Sequence, residues 1–116
     1  MNWLAAAVLV FLGAFGSQAQ AHAFLDHAEP RVGATVQAAP AKLTLTFTQD
    51  IEPAFSSVKV TDSQGREVDK GKVQVQGALM QVALGALGPG DYTVTWRVVS
   101  VDTHVTEGDF VFHVAP

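Results

Sequence analysis

From residue 24 onward the apolar positions recur every second residue, the spacing of strands with one buried face, and no stretch sustains the repeat of a helix. Leu43, Leu45 and Phe47 alternate with Thr44, Thr46 and Thr48, which turns the larger apolar side chains inward and the β-branched polar ones outward. Val58 and Val60 repeat the pattern, followed by Val73 and Val75, and beyond Gly77 by Met80, Val82 and Leu84. Tyr92, Val94, Trp96 and Val98 make the longest inward row, and Phe110, Phe112 and Val114 the last. Asp62-Ser63-Gln64-Gly65 has turn composition. Pro30, Pro40 and Pro53 fall between the rows, where a missing N–H does least harm. With a short strand near Phe24 to Ala28, about seven strands are expected.

That number and spacing predict an all-β domain, a sandwich or Greek-key barrel. Leu87-Gly88-Pro89-Gly90-Asp91-Tyr92 sharpens the choice, because a turn followed by tyrosine at the start of a strand resembles the tyrosine corner of immunoglobulin-like sandwiches. Trp96 and the inward phenylalanines then fill a core that has no disulfide, since the chain contains no cysteine.

Upstream the pattern is different. Leu4 to Phe15 is an unbroken run of apolar residues and glycine, Gly16-Ser17-Gln18 follows, and Ala19-Gln20-Ala21 has the small-residue form of a signal-peptidase site. Met1-Asn2-Trp3 brings no lysine or arginine, so the positive charge before the run is only the α-amine. The run is shorter than the ~20 residues of a spanning helix, which favours export over a retained anchor. Residues 1–21 are therefore expected to be a cleaved signal peptide and residues 22–116 the mature domain. Ala21-His22-Ala23 also fits the A-x-A form: a cut after Ala21 makes His22 the first residue, whereas a cut after Ala23 discards it.

Removing 21 of the 116 residues leaves 95, enough for one small domain with a single core. The leader carries no charged side chain, so the mature part keeps all 11 acidic and 7 basic residues and the net charge of −4. Nucleic acid is a poor partner for that balance, because its phosphates require clustered lysine and arginine. Without cysteine there is no thiolate site, and any metal must be held by nitrogen and oxygen donors.

Four histidines are present. A histidine that begins a chain offers its free α-amine and its imidazole Nδ1 to one metal in a six-membered chelate, which no internal histidine can do. His22 is placed for this by the first cleavage site. Asp102 and His104 follow the longest row, and on extended backbone an i, i+2 pair points its side chains the same way. The alternative is a loop in which Asp102 caps a turn and His104 is merely exposed. His22, His104 and Asp102 together make two imidazoles, one amine and one carboxylate, a set suited to tetragonal Cu(II) or Ni(II). His27, beside Asp26, is a further candidate at the same end, whereas His113 reads as a solvent-facing residue of the last strand. Met80 sits in an inward row and reads as core, and without thiolate or a methionine cluster a soft Cu(I) site has little to bind with.

At these residues the mature chain resembles the CopC family of periplasmic copper-binding proteins. The matching stretches are His22-Ala23-Phe24-Leu25 with Pro30 shortly after, Leu43 to Thr48, Tyr92 through Trp96 to Ser100-Val101-Asp102-Thr103-His104, and Gly108-Asp109-Phe110-Val111-Phe112. The resemblance covers nearly all of residues 22–116 and implies an immunoglobulin-like β-sandwich that binds Cu(II) in the periplasm for copper homeostasis or resistance. It implies that His22 gives amine and imidazole, His104 a second imidazole roughly opposite, and Asp102 a carboxylate oxygen, and it favours the cut after Ala21. An inner-membrane CopD-like copper transport protein is the implied partner, and a monomer the expected state.

Two departures limit the carry-over. Nothing here matches the methionine-rich loop that some relatives use for Cu(I), so a Cu(II) site alone is expected. Where some relatives have glutamate near the copper this chain has Gln49, which adds no negative charge. A non-enzymatic carrier or buffer is the first reading. A histidine-brace copper monooxygenase is the second, disfavoured by the small size and by aromatic residues held in inward rows. A metal-free immunoglobulin-like interaction module is the third.

Overall fold

In the computed structural model, residues 22–116 are described, and the signal peptide expected over residues 1–21 lies outside them. Eight strands are present: β1 (Leu25–Glu29), β2 (Thr35–Val36), β3 (Lys42–Phe47), β4 (Ser57–Asp62), β5 (Asp69–Gln76), β6 (Leu79–Leu84), β7 (Gly90–Val99) and β8 (Val105–Val114), with one 3₁₀ turn at Pro53–Phe55. They form two four-stranded sheets, ordered β1-β3-β6-β5 and β2-β8-β7-β4. These are the ABED and GFC orders of an immunoglobulin-type sandwich, with β2 added beside the last strand.

The strand the sequence did not show is β2. Two residues carry no readable alternation, and β2 exists because β8 supplies a parallel partner, Thr35 opposite His113 and Val36 opposite Val114. The amide N–H groups of His113 and Ala115 donate to the carbonyls of Ala34 (2.8 Å) and Val36 (2.9 Å). That pairing shields an edge of β8 that would otherwise be open.

The inward rows are as the alternation predicted, and they fill the space between the sheets. Leu43, Leu45, Val60, Met80, Val94, Val98 and Phe112 have essentially no exposed surface. Trp96 meets Phe47 edge-on at 5.2 Å between centroids, and Tyr92 stacks on Phe112 at 5.4 Å. Both are favourable aromatic geometries. The Tyr92 hydroxyl donates to the Gly88 carbonyl at 2.6 Å, which completes the tyrosine corner. Val73 and Val75 pack against the core but stay half-buried, because β5 is the edge strand of its sheet and its register with β6 jumps between Lys70 and Gln74.

Asp62 to Gly65 forms the expected turn, closed by the Gly65 N–H on the Asp62 carbonyl at 3.0 Å, with Gly65 at φ +81°. Asp62 Oδ1 also accepts from the amides of Gln64 and Arg66 at 2.9 Å each, and Arg66 Nε donates to Oδ2 at 3.1 Å. The Arg66 N–H, the largest influence, and these other donors hold the Asp62 carboxyl below its ordinary value of 3.8.

Candidate metal centre

The long hairpin β7–β8 runs in unbroken register from Gly90 opposite Val114 to Val99 opposite Val105. Its connecting residues, 100–104, carry Asp102 and His104. This connection is a turn, not the extended backbone on which the pairing of Asp102 with His104 was expected. Ser100 closes it: the Thr103 N–H donates to the Ser100 carbonyl at 2.8 Å, the Ser100 N–H donates to the His104 carbonyl at 2.9 Å, and the His104 N–H reaches Ser100 Oγ at 3.3 Å. Thr103 takes the left-handed conformation at φ +69° to complete the reversal. Ser100 is itself fully buried, and the Val101 N–H is tied to the Asp50 carbonyl at 3.2 Å. His104 therefore stands on a loop fastened to the core at both ends.

The start of the described chain arrives at the same place. Ala23 has no exposed surface and fills the end of the core. Phe24 hydrogen bonds in both directions with Thr48, the residue after β3: its N–H donates to Thr48 Oγ1 at 2.9 Å and its carbonyl accepts from the Thr48 N–H at 2.8 Å. With Ala23 and Phe24 held there, the His22 imidazole stacks on that of His104, ring centroids 4.5 Å apart and planes 26° from parallel. Phe24 lies on from His22 at 5.9 Å and is 55% exposed. The strand expected from Phe24 starts one residue later, so Phe24 belongs to the rim of the site and not to the sheet.

The other expected residues are distributed differently. Asp102 is exposed in the turn beside His104, and among the described residues no group of three or more histidine, aspartate or glutamate side chains converges as a metal site. Gln49 is half-buried and directly follows Thr48. His27 is paired with Asp26, Nδ1 to Oδ2 2.8 Å. Neighbours on a regular strand point to opposite faces, and these two meet because the β1–β3 register slips between Leu25 and His27. His113 lies at the far end of the hairpin, nine residues from His104 or about 30 Å of extended chain. There its Nδ1 is 2.6 Å from Oδ1 of Asp91, the residue directly across on β7.

Two imidazoles bound to one ion through bonds of about 2.0–2.1 Å must bring their nitrogens within about 4 Å of each other. Rings with centroids 4.5 Å apart are within reach of that span. The residues present therefore fit a pair of imidazole donors to one metal, brought together from positions 82 residues apart in the chain. Alternation in the sequence identified neither Ser100 nor Thr106 as supports of this site. Thr48 appeared only as an outward-facing threonine. The one sequence signal was for Thr48 and Ser100, which directly extend the rows Leu43–Phe47 and Tyr92–Val98; Thr106, inside β8 and four residues before Phe110, had none.

Comparison with known proteins agrees with this architecture. The chain is 41% identical over 98 residues to "Protein YobA" of Escherichia coli strain K12, covering 81% of this chain and 79% of that one. The crystal structure of CopC from Methylosinus trichosporium OB3b superposes with a TM-score of 0.76 at 35% identity, over 82% of this chain and 95% of that one. PcoC of Escherichia coli, described as a methionine-rich copper resistance protein, superposes with a TM-score of 0.70 at 31% identity, over 81% of this chain and 99% of that one. Residues 25–115 match the CopC domain, and so a sandwich that brings a histidine before its first strand and one in its last hairpin turn to the same pole belongs to the CopC family.

Proposed function

We propose that this protein is a periplasmic Cu(II)-binding protein that carries or buffers copper without catalysing a reaction, in copper homeostasis or resistance. The observation that carries the reading is the stacked pair His22–His104, in which the start of the mature domain meets the β7–β8 turn at one pole. After cleavage behind Ala21, His22 supplies α-amine and imidazole, His104 the second imidazole and Asp102 a carboxylate oxygen. Copper is the cargo, and a CopD-like inner-membrane protein its recipient. The complete burial of Ala23 supports this cleavage, since a cut after Ala23 would remove both a ligand and a piece of the core. Cu(II) is favoured over Cu(I) by the donor set: Met80, the one methionine beyond the leader, is fully buried in β6 and offers no thioether to the site.

The test begins with the intact mass and metal content of protein recovered from the cell envelope, which are expected to show His22 as the first residue and one copper per chain. Paramagnetic resonance of the Cu(II) form is expected to show nitrogen hyperfine coupling. One extra residue in front of His22 blocks the free amine and is expected to cripple binding, and unchanged affinity would refute the amine chelate.

A further inference from the structure

Both imidazoles must be placed before a metal can bridge them, and His22 has no strand to hold it: β1 begins three residues later, at Leu25. What holds its segment is a pair of hydroxyl groups from the two sheets. Thr48 Oγ1 accepts from the Phe24 N–H at 2.9 Å and turns its own O–H towards the His22 carbonyl at a longer 3.4 Å. Thr106, on β8, donates its hydroxyl to the Ala23 carbonyl at 2.5 Å. Three consecutive residues are thus held through their backbone, from one side by the end of β3 and from the other by β8. Between the two clamps the Ala23 methyl group is buried completely.

The geometry points to Thr48 and Thr106 as positioning residues that fix the first residues of the mature chain so that His22 meets His104. Neither hydroxyl is a ligand. They act on the peptide groups of residues 22–24, so their effect reaches the metal only through the His22 backbone. The consequence is preorganisation: without the clamp, residues 22–24 keep their rotational freedom, and the metal must order them on binding. Supports of this kind around metal ligands are worth roughly 10–100-fold in metal affinity. This inference rests on the copper-binding reading above for its affinity arm, but the clamp itself is measurable without metal.

The experiment uses protein recovered from the periplasm with His22 first, as wild type, Thr48→Val, Thr48→Ser and Thr106→Val. Valine keeps the branched shape and removes the hydroxyl, whereas serine keeps the hydroxyl and removes the methyl group. In the metal-free proteins, hydrogen exchange of the Phe24 amide is expected to be slow in wild type and Thr48→Ser, and at least tenfold faster in Thr48→Val. Cu(II) competition against a chromophoric chelator is expected to show affinity weakened about 10–100-fold in Thr48→Val and Thr106→Val, with Thr48→Ser close to wild type. Fast exchange of the wild-type Phe24 amide, or full Cu(II) affinity in both valine variants, overturns the proposal. So does a serine variant as weak as the valine one. If Thr48→Val does not fold, Thr106→Val and Thr48→Ser decide the matter. If wild type binds no Cu(II), the functional reading fails, while exchange at Phe24 still judges the clamp.

Discussion

Gly108 is predicted to be a position at which a single methyl group is costly. It lies on β8 directly opposite Trp96 of β7. A Cβ added there would sit 2.7 Å from Cζ2 and 3.0 Å from Cε2 of the Trp96 indole. Ordinary carbon–carbon contacts are about 3.5–4.0 Å, so the methyl group is roughly 0.8 Å too close even at the short end of that range. Trp96 has little room to yield, being 8% exposed with Phe47 against it at 5.2 Å. Overpacking of this kind costs about 1–3 kcal/mol. For a domain of this size each kcal/mol lowers Tm by about 4–8 °C, so Gly108→Ala is expected to melt roughly 4–24 °C below wild type. The assay is urea unfolding followed by circular dichroism, because Trp96 is the one tryptophan beyond the leader and the cross-variants Trp96→Phe and Gly108→Ala/Trp96→Phe remove it. Phenylalanine lacks the fused ring that carries Cζ2, so it makes room for the methyl group. The double variant is therefore expected to lose less stability than the sum of the single ones, by about 1 kcal/mol or more. A Gly108→Ala protein as stable as wild type, or strictly additive losses, would refute the packing argument.

Other outcomes follow from the same fold. Tyr92→Phe removes the 2.6 Å hydrogen bond to the Gly88 carbonyl and is expected to cost about 0.5–1.5 kcal/mol in denaturant unfolding with an unchanged m-value. Because the Asp62 carboxyl is held below its ordinary 3.8, chiefly by the Arg66 N–H, its contribution to stability is full above that value and is lost as pH falls through the depressed one. Asp62→Asn is accordingly expected to melt with a weaker dependence on pH below about 4, and a wild-type profile in the variant would contradict the assignment. His104→Ala is expected to weaken Cu(II) binding sharply in the competition assay. His113→Ala is expected to leave it unchanged, since that imidazole is engaged with Asp91 at the opposite end of the hairpin.

Much of this protein is written in its alternation. The rows Leu43–Phe47, Tyr92–Val98 and Phe110–Val114 identify their strands and their buried faces without further information, because a strand has a period of two and one face must leave water. Tyr92 after Gly88-Pro89-Gly90 likewise announces a corner whose hydrogen bond spans only four residues. Local chemistry suffices in both cases. His22 and His104 were also legible as candidates, by their residue types and their neighbours.

What only the tertiary structure decided involves partners distant in the chain. β2 has no pattern of its own and becomes a strand because β8 passes beside it. The 100–104 segment is a turn sewn to Ser100, where alternation continued from β7 would have left it extended. Phe24 lies on the rim because Thr48 captures its backbone ahead of the β1 ladder. The contact of His22 with His104 requires two sheets to close over Ala23 before the rings can meet. Side-chain period is a property of neighbouring residues, so sequence determines which face of a strand is buried. Which loops share a pole depends on how the sheets pack, and only the folded domain supplies that.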